Sequence, residues 1–534
     1  MRPIVFFLLF LVLCSNSGLT QLVVQWSEEF KFDRRVSIAG MMSDPNFFYV
    51  LKRNTSGKGN PAPYFLEQFD ASSMAIRRQM EIRFPVAPHS PGVVFHDLLS
   101  VDGKLWLFLQ GTNKRGRNGR LYVAPVDMDQ AKIGEAILID SFANPVASAD
   151  FRIEESWNGK TILVMHNDPF DIKYNSEKFY YKVYNNNMNL LWKKEIEMPF
   201  RDRMFKVTHH LLDHKGNVHL VSAVHQEREK GDQRDNAVSN NKYHLISYYH
   251  EQNLVKEFEI SLGEKWISAL TFDMAPDGQL VLAGFYSNAA NYSISGTFYL
   301  RIDPETRSVV QSNMKAFDKN FLLEFLPERK VKKGIELSDF YFDHLVVRED
   351  GSAMLIAEQY YMQVVYTYND PYMNGMYGWG YPYGGYSPYY RSNYNYQYHY
   401  NDIIVVSIDP EGNIDWTKKI PKRQMSSNDG GYYSSYTLAS NERMVYVLFN
   451  DNPRNSAEFR KGTAEPYAMT KPSKSQAMMV TIDREGKFVY NALFAQKESG
   501  LILRPKLCYQ YSADRLILYS QKGSRYRFGA IGLP

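Results

Sequence analysis

The stretch His96 to Gln110, HDLLSVDGKLWLFLQ, reads as strand, turn, strand. Its centre is Asp102-Gly103, and an Asp-Gly pair is a strong hairpin signal because glycine takes the positive φ that a tight turn needs. The pattern recurs down the chain. Arg152 to His166 turns at Asn158-Gly159, Thr208 to His225 at Lys215-Gly216, Leu270 to Tyr286 at Asp277-Gly278, and Asp343 to Gln359 at Asp350-Gly351. Weaker copies lie at Ser37 to Leu51, Tyr433 to Phe449 and Leu507 to Ser520, making eight. A repeat of this kind decides architecture before any single motif does.

A second set of hairpins alternates with the first: Tyr64 to Ile82, Gly119 to Ile139, Lys178 to Met198, Lys242 to Leu262, Gly296 to Ala316, Asn401 to Pro421 and Gln476 to Gln496. Four short strands per repeat, recurring every ~55 to 90 residues, predict an all-β, eight-bladed β-propeller, with seven blades as the fallback. We letter the strands of each blade A to D. The last repeat is one strand short, since only Arg525 to Gly532 follows its A–B hairpin. Leu22 to Phe32, LVVQWSEEFKF, precedes the first hairpin and supplies the missing strand. The ring is therefore expected to close by pairing of the two ends of the chain, which removes exposed sheet edges.

Residues 1–20 read as a signal peptide and 21–534 as the propeller. Arg2 is followed by an apolar run from Ile4 to Leu13, too short to span a bilayer, and then by small polar residues. This predicts a secreted or extracytoplasmic protein with no transmembrane segment in its mature chain. Cys14 leaves with the signal; lipidation there is the alternative reading, although Leu13 stands where a small residue is usual. The only other cysteine is Cys508, which excludes a disulfide framework and reads as a small buried hydrophobe within an apolar strand pattern. A net charge of +4 over 534 residues lacks the concentrated basic field that nucleic-acid binding needs.

Asp409-Pro-Glu-Gly412-Asn-Ile-Asp-Trp416 has the D-x-x-G-x-x-x-W form, and Asp483 to Tyr490 repeats it with Tyr in place of Trp. In this the chain resembles the tryptophan-docking repeats of the quinoprotein-like (PQQ-like) eight-bladed propellers. Asn185 to Trp192 keeps only the Trp, while Val310 and Arg77 stand at the corresponding places of other blades. The dehydrogenases of that class mark their active site with adjacent cysteines and a calcium-bound quinone. Adjacent cysteines are missing here, so the resemblance implies the fold without the dehydrogenase site, and no cofactor or metal is expected. The nearer analogues implied are secreted or envelope propellers that act as binding scaffolds.

Most A–B and C–D turns are tight, whereas the B–C connections are long: Asn54 to Pro63, Gly111 to Asn118, Asn167 to Glu177, Gln226 to Asn241, Ser287 to Ser295, Tyr360 to Tyr400 and Asn450 to Ser475. B–C and D–A connections share one face of a propeller, and variable functional loops belong there. The sixth is a Tyr/Gly-rich insertion, residues 362–400, reading YTYNDPYMNGMYGWGYPYGGYSPYYRSNYNYQYHY from Tyr366 to Tyr400. It has neither helical nor sustained strand periodicity. Tyr372, Tyr377, Trp379, Tyr381, Tyr383, Tyr386, Tyr389, Tyr390 and Arg391 are its candidate contacts, because aromatic rings give large, stiff, amphipathic area to a protein or a sugar. A low-complexity insertion with no specific partner is the plainer reading.

Charged loops flank it: Lys114, Arg115, Arg117 and Arg120; Arg228, Lys230 and Arg234, offset by acids; and Arg454, Arg460, Lys461, Lys471 and Lys474. They suit an acidic polysaccharide or protein, or are ordinary solvated charge. The residue seven before the turn glycine is His96, Arg152, His209, Thr271 and His344 in the five clearest blades. These are expected to form a polar ring at the channel mouth, either as a small anion or metal site or as the lining of a water-filled channel. His209, His210, His214, His219 and His225 cluster in sequence, but strand alternation sends His209 and His210 to opposite faces. Asp150, Asp168 and Asp171 could act as paired carboxylates in glycoside hydrolysis, although acids at strand ends are usually turn formers. Phe321, Leu322, Phe325 and Leu326 have helical spacing before the basic run Arg329 to Lys333, which predicts a short amphipathic helix between blades five and six. The combined expectation is a secreted or envelope-associated, non-catalytic scaffold for protein–protein interaction. A lectin-like polysaccharide binder is the alternative, and a glycan-active enzyme the third reading.

Overall fold

The computed structural model describes residues 22–534 apart from 33–35, 45, 55–63, 86, 89, 91, 113–117, 143–150, 157, 168–175, 202–204, 226–240, 290–291, 307, 368–392 and 456–464. Its strands form eight antiparallel sheets, and in seven of them the sheet order follows the chain, A-B-C-D. First strands of neighbouring blades meet, as Trp266–Met274 meets Phe340–Val347, so the A strands surround the axis. All eight hairpins of the first set and all seven of the second are present, and the turn glycines Gly103, Gly159, Gly216, Gly278 and Gly351 take positive φ.

The ends of the chain close the ring. Val24–Trp26 pairs antiparallel with Arg525–Gly532, placing Val24 opposite Ile531 and Trp26 opposite Gly529. Phe30–Lys31 continues along the same strand opposite Tyr526 and Arg525. The N-terminal segment is thus the D strand of blade eight.

Burial follows from the radial arrangement. The B strand Leu280–Ser287 is buried at every residue, because a middle strand is covered on both faces by neighbouring blades. The outer strand Ser308–Ala316 is exposed or half-buried throughout. The core is correspondingly divided into eight apolar clusters, one per seam. The closing seam, blade eight against blade one, is the aromatic one, with Phe32, Phe48, Phe69, Tyr519, Tyr526 and Phe528.

The glycine and tryptophan spacing serves these seams. Trp416 Nε1 donates to the carbonyl of Arg484 on the next blade at 3.0 Å, and its ring lies on Gly486. Gly486 has φ +75°, and a Cβ there would sit 2.8 Å from Trp416 Cε2. Trp192 docks likewise beside Gly216 and stacks on His250 at 5.4 Å. Gly486→Ala combines left-handed strain with a displaced indole, and is expected to cost about 2 kcal/mol in urea unfolding. A loss below about 0.5 kcal/mol, the scatter of inert surface changes, would rule out that docking as a stabilising contact.

Three local expectations are corrected. Blades five and six are joined by two one-turn helices, Lys319–Leu323 and Glu328–Lys332, in place of one amphipathic helix. Pro327 divides them because it lacks an N–H and disfavours helix at the residue before it. The A strand of blade eight is split into Ile502–Leu503 and Tyr509–Ser512 by a 3-10 turn, Pro505–Leu507. Cys508 therefore precedes the strand; burial of its thiol pushes its pKa up to about 12. Finally, the end of the Tyr-rich stretch is a strand from Asn393 onward. Tyr394, Tyr396, Tyr398 and Tyr400 alternate with Asn393, Asn395, Gln397 and His399, which is the period-2 signal of a strand.

Candidate binding face

Blade six departs from its neighbours. Its B and C strands, Ala353–Thr367 and Asn393–Ile408, have 15 and 16 residues, whereas the B strand of blade five has 8. The A strand, Phe340–Val347, pairs only with Ala353 to Gln359. The hairpin thus runs past the ring as a ribbon, with Tyr360 opposite Tyr400 and Thr367 opposite Asn393. Its outer side is supported by Gln424–Ser427, which pairs with Gln397 to Tyr400, and Met425 and Met469 tie that strand to blade seven. Its inner side has no strand partner from Tyr361 to Thr367 among the described residues. Because A is the innermost strand, that open side looks over the channel mouth. Tyr361, Met362 and Tyr396 are exposed, as is Tyr341 nearby, and Tyr361 stacks on His399 at 4.5 Å.

A charged nest lies at the foot of the ribbon. Lys422 and Glu358 form a buried ion pair at 2.6 Å, with side chains 0% and 5% exposed. Ser435 Oγ donates to the second oxygen of Glu358 at 2.7 Å, and Lys422 Nζ also donates to the Tyr400 carbonyl at 3.0 Å. A bulge at Asp343 in the A strand turns it toward this pair. The Tyr436 hydroxyl donates to Asp343 Oδ2 at 2.9 Å. Asp343 has an exposed surface yet protein packs around its carboxyl, which is pushed up to about 7 by burial first and by the Glu358 carboxylate second.

That shift has a definite sign. The folded-state value lies above the ordinary 3.8, so between the two the folded chain holds the extra proton and stability falls as pH rises through this window. Asp343→Asn keeps an acceptor for Tyr436. It is expected to raise the melting temperature at pH 8 and leave it unchanged near pH 4. Equal effects at both pH values would show that the carboxyl is not strained.

Across the mouth stands the 3-10 turn of blade eight. Lys506 Nζ donates to the Tyr400 hydroxyl at 2.8 Å and lies 4.3 Å above its ring. Arg504 stacks on Tyr432 with Cζ 3.3 Å from the ring, and its Nη1 donates to the Tyr432 hydroxyl at 2.6 Å and to Gln521 Oε1 at 3.0 Å. Burial lowers the pKa of both cations.

The residues expected from sequence are placed as follows. Tyr372, Tyr377, Trp379, Tyr381, Tyr383, Tyr386, Tyr389, Tyr390 and Arg391 lie outside the described residues, beyond the ribbon's last pair. So do Asp150, Asp168, Asp171 and the charged residues Lys114, Arg115, Arg117, Arg228, Lys230, Arg234, Arg460 and Lys461. His96 is the extra residue of a bulge, and Arg152 begins the A strand of blade three. Thr271 sits opposite Ala283. His209 lies edge-on to Phe272 of blade five and His344 edge-on to Tyr436 of blade seven. These contacts cross the seams, since A-strand side chains alternate toward the two neighbouring blades. His210 accordingly goes the other way, to Glu154 of blade three. Asp343, Glu358, Lys422, Arg504 and Lys506 were not singled out from sequence, and no spacing links them.

Comparison with known proteins gives a likeness of fold alone. No family model and no curated protein matches the chain. Among solved structures, the Dos1 propeller aligns at 9% identity and TM-score 0.44, over 95% of this chain and 94% of that one. The WD40 domain of SCAP from fission yeast aligns at 8% identity and TM-score 0.39, over 95% and 98%. The polysaccharide lyase Uly1 aligns at 10% identity and TM-score 0.39, over 96% and 100%.

Proposed function

We propose that this chain is a secreted or envelope-associated, non-catalytic scaffold that takes a protein partner on its B–C face. The blade-six ribbon supports this reading most directly. It extends a blade beyond the ring, leaves a strand edge unpaired among the described residues, and exposes Tyr361, Met362 and Tyr396 together. Rigid aromatic area beside an open edge is the material of protein recognition. The docking-repeat grammar of Asp409 to Trp416 supports kinship with the quinoprotein-like propellers without their cofactor chemistry.

The test is affinity capture from an envelope or secreted fraction. The whole chain is compared with one whose residues 366–399 are replaced by a Gly-Ser linker. A protein held by the first and lost by the second is the expected result. Equal capture by both would remove the ribbon tip from the contact. A second reading, glycan binding, is favoured by the exposed rings of Tyr361 and Tyr396, and free sugar that releases the captured material would select it.

A further inference from the structure

The open side of the ribbon has a direction. The Tyr360 N–H donates to the Asp339 carbonyl on the inner side. Strand periodicity then points the N–H groups of Met362 and Val364 the same way, over the channel mouth. No described residue pairs with them. The run Tyr361 to Tyr366, YMQVVY, carries neither charge nor proline, and such an edge is a template for another strand.

The cations across the mouth are hydrogen-bonded to neutral groups. Neither Arg504 nor Lys506 forms an ion pair among the described residues. Their side-chain hydrogen bonds go to the phenols of Tyr432 and Tyr400 and the amide of Gln521, Arg504 also lies 5.9 Å from the Tyr519 ring, and Arg504 Nε is buried with no acceptor among the described residues. The buried carboxylate of Glu358, which acts electrostatically on Lys506, is already engaged by Lys422 and Ser435. Gly431, next to Tyr432 in the chain, packs directly on the Tyr400 ring, which brings the two cation–ring contacts to neighbouring positions. Two cations held by neutral groups, Arg504 half-buried and Lys506 exposed, leave a positive field at the foot of the edge.

We propose that this face binds an extended acidic peptide, added as a strand to the inner edge at Tyr361 to Tyr366, with a carboxylate at Lys506 and Arg504. The backbone edge holds the main chain and the cations select for acid. This rests on the scaffold reading and names its partner's chemistry.

The test titrates the full chain at low salt with an octapeptide alternating glutamate and threonine. Three comparisons accompany it: the same peptide N-methylated at alternate amides, hexagalacturonate, and a set of variants. Val364→Pro removes an inward N–H without touching the ladder to the C strand. Lys506→Gln and Arg504→Gln remove charge, and Lys474→Gln is the control from the same face. Saturable binding is expected, weakened at least about tenfold, ~1.4 kcal/mol, by N-methylation, Val364→Pro, Lys506→Gln and Arg504→Gln, and unchanged by Lys474→Gln. Absence of saturable binding overturns the proposal. So does equal binding of the N-methylated peptide. Tighter binding of hexagalacturonate that depends on Lys506 and ignores Val364→Pro would assign the face to an acidic glycan. If capture succeeds in the ribbon-dependent test while the octapeptide fails, the scaffold reading stands and only the peptide assignment falls.

Discussion

Deleting residues 22–32 is expected to abolish the cooperative unfolding of the whole ring. The segment supplies the outer strand of blade eight. Phe32 stacks on Tyr526 at 4.0 Å, Trp26 meets Phe494 at 5.0 Å, and Arg527 lies 3.8 Å over the Trp26 ring. Each large apolar side chain taken back to water costs roughly 1.5 to 3 kcal/mol, so Trp26, Phe30 and Phe32 together approach the 5 to 15 kcal/mol that holds a typical domain. The deletion also bares Arg525–Gly532 as an unpaired edge, which invites aggregation. The readout is thermal unfolding by circular dichroism. A synthetic peptide of residues 22–32 added in trans should restore a transition by occupying the same edge. A deletion variant melting within about 1 °C of the full chain, the shift that ~1 kcal/mol gives at roughly 2.1 cal/mol/K per residue in a ring of this size, would mean that the ring does not depend on this closure.

The second large effect is expected at Lys422. Its ammonium is fully buried and bound to Glu358, the Tyr400 carbonyl and Gln424 Oε1. Lys422→Met leaves Glu358 with Ser435 as its donor and Asp343 as a neighbouring acid. Removing one partner of a buried pair costs about 3 to 5 kcal/mol, because the other charge stays in a low-dielectric site. The deficit has a pH signature. An uncompensated buried carboxylate takes up a proton more readily folded than unfolded, so the loss is greatest above neutral pH and shrinks as pH falls toward 4. Adding Glu358→Gln should recover most of it at pH 8, since glutamine keeps an acceptor for Ser435 without the charge. A loss under about 1 kcal/mol at pH 8, within the range of an exposed pair, would show that the pair contributes no more than a surface one.

The pair also explains why the mouth holds cations at all. Glu358 is engaged by Lys422 and Ser435 and forms no ion pair with Lys506 or Arg504 among the described residues. The rings of Tyr400 and Tyr432 hold Lys506 and Arg504 respectively without neutralising them.

The sequence by itself determined the ring. Turn glycines at Gly103, Gly216, Gly278 and Gly351 have positive φ, and that local requirement is written in the residue type. The count of blades, their strand order and the closure by Leu22 to Phe32 follow from repetition, because each blade copies the same short-range pattern. Trp416 and Gly486 were legible as a repeat, though their contact across a seam was not. The alternation of Tyr394 to Tyr400 was available as a strand signal, hidden by the low-complexity run before it.

The tertiary structure alone decided the site. Asp343, Glu358, Lys422, Arg504 and Lys506 come from blades six and eight and the D–A connection that follows blade six. Their separation in sequence obeys no period, so no local pattern reports it. The inner edge of the ribbon is likewise a fact of placement: it exists because Phe340–Val347 stops at Gln359 while its partner strand continues to Thr367. Hairpin geometry is fixed by neighbours in the chain, whereas charge pairing and open edges are fixed by which strands the ring brings side by side.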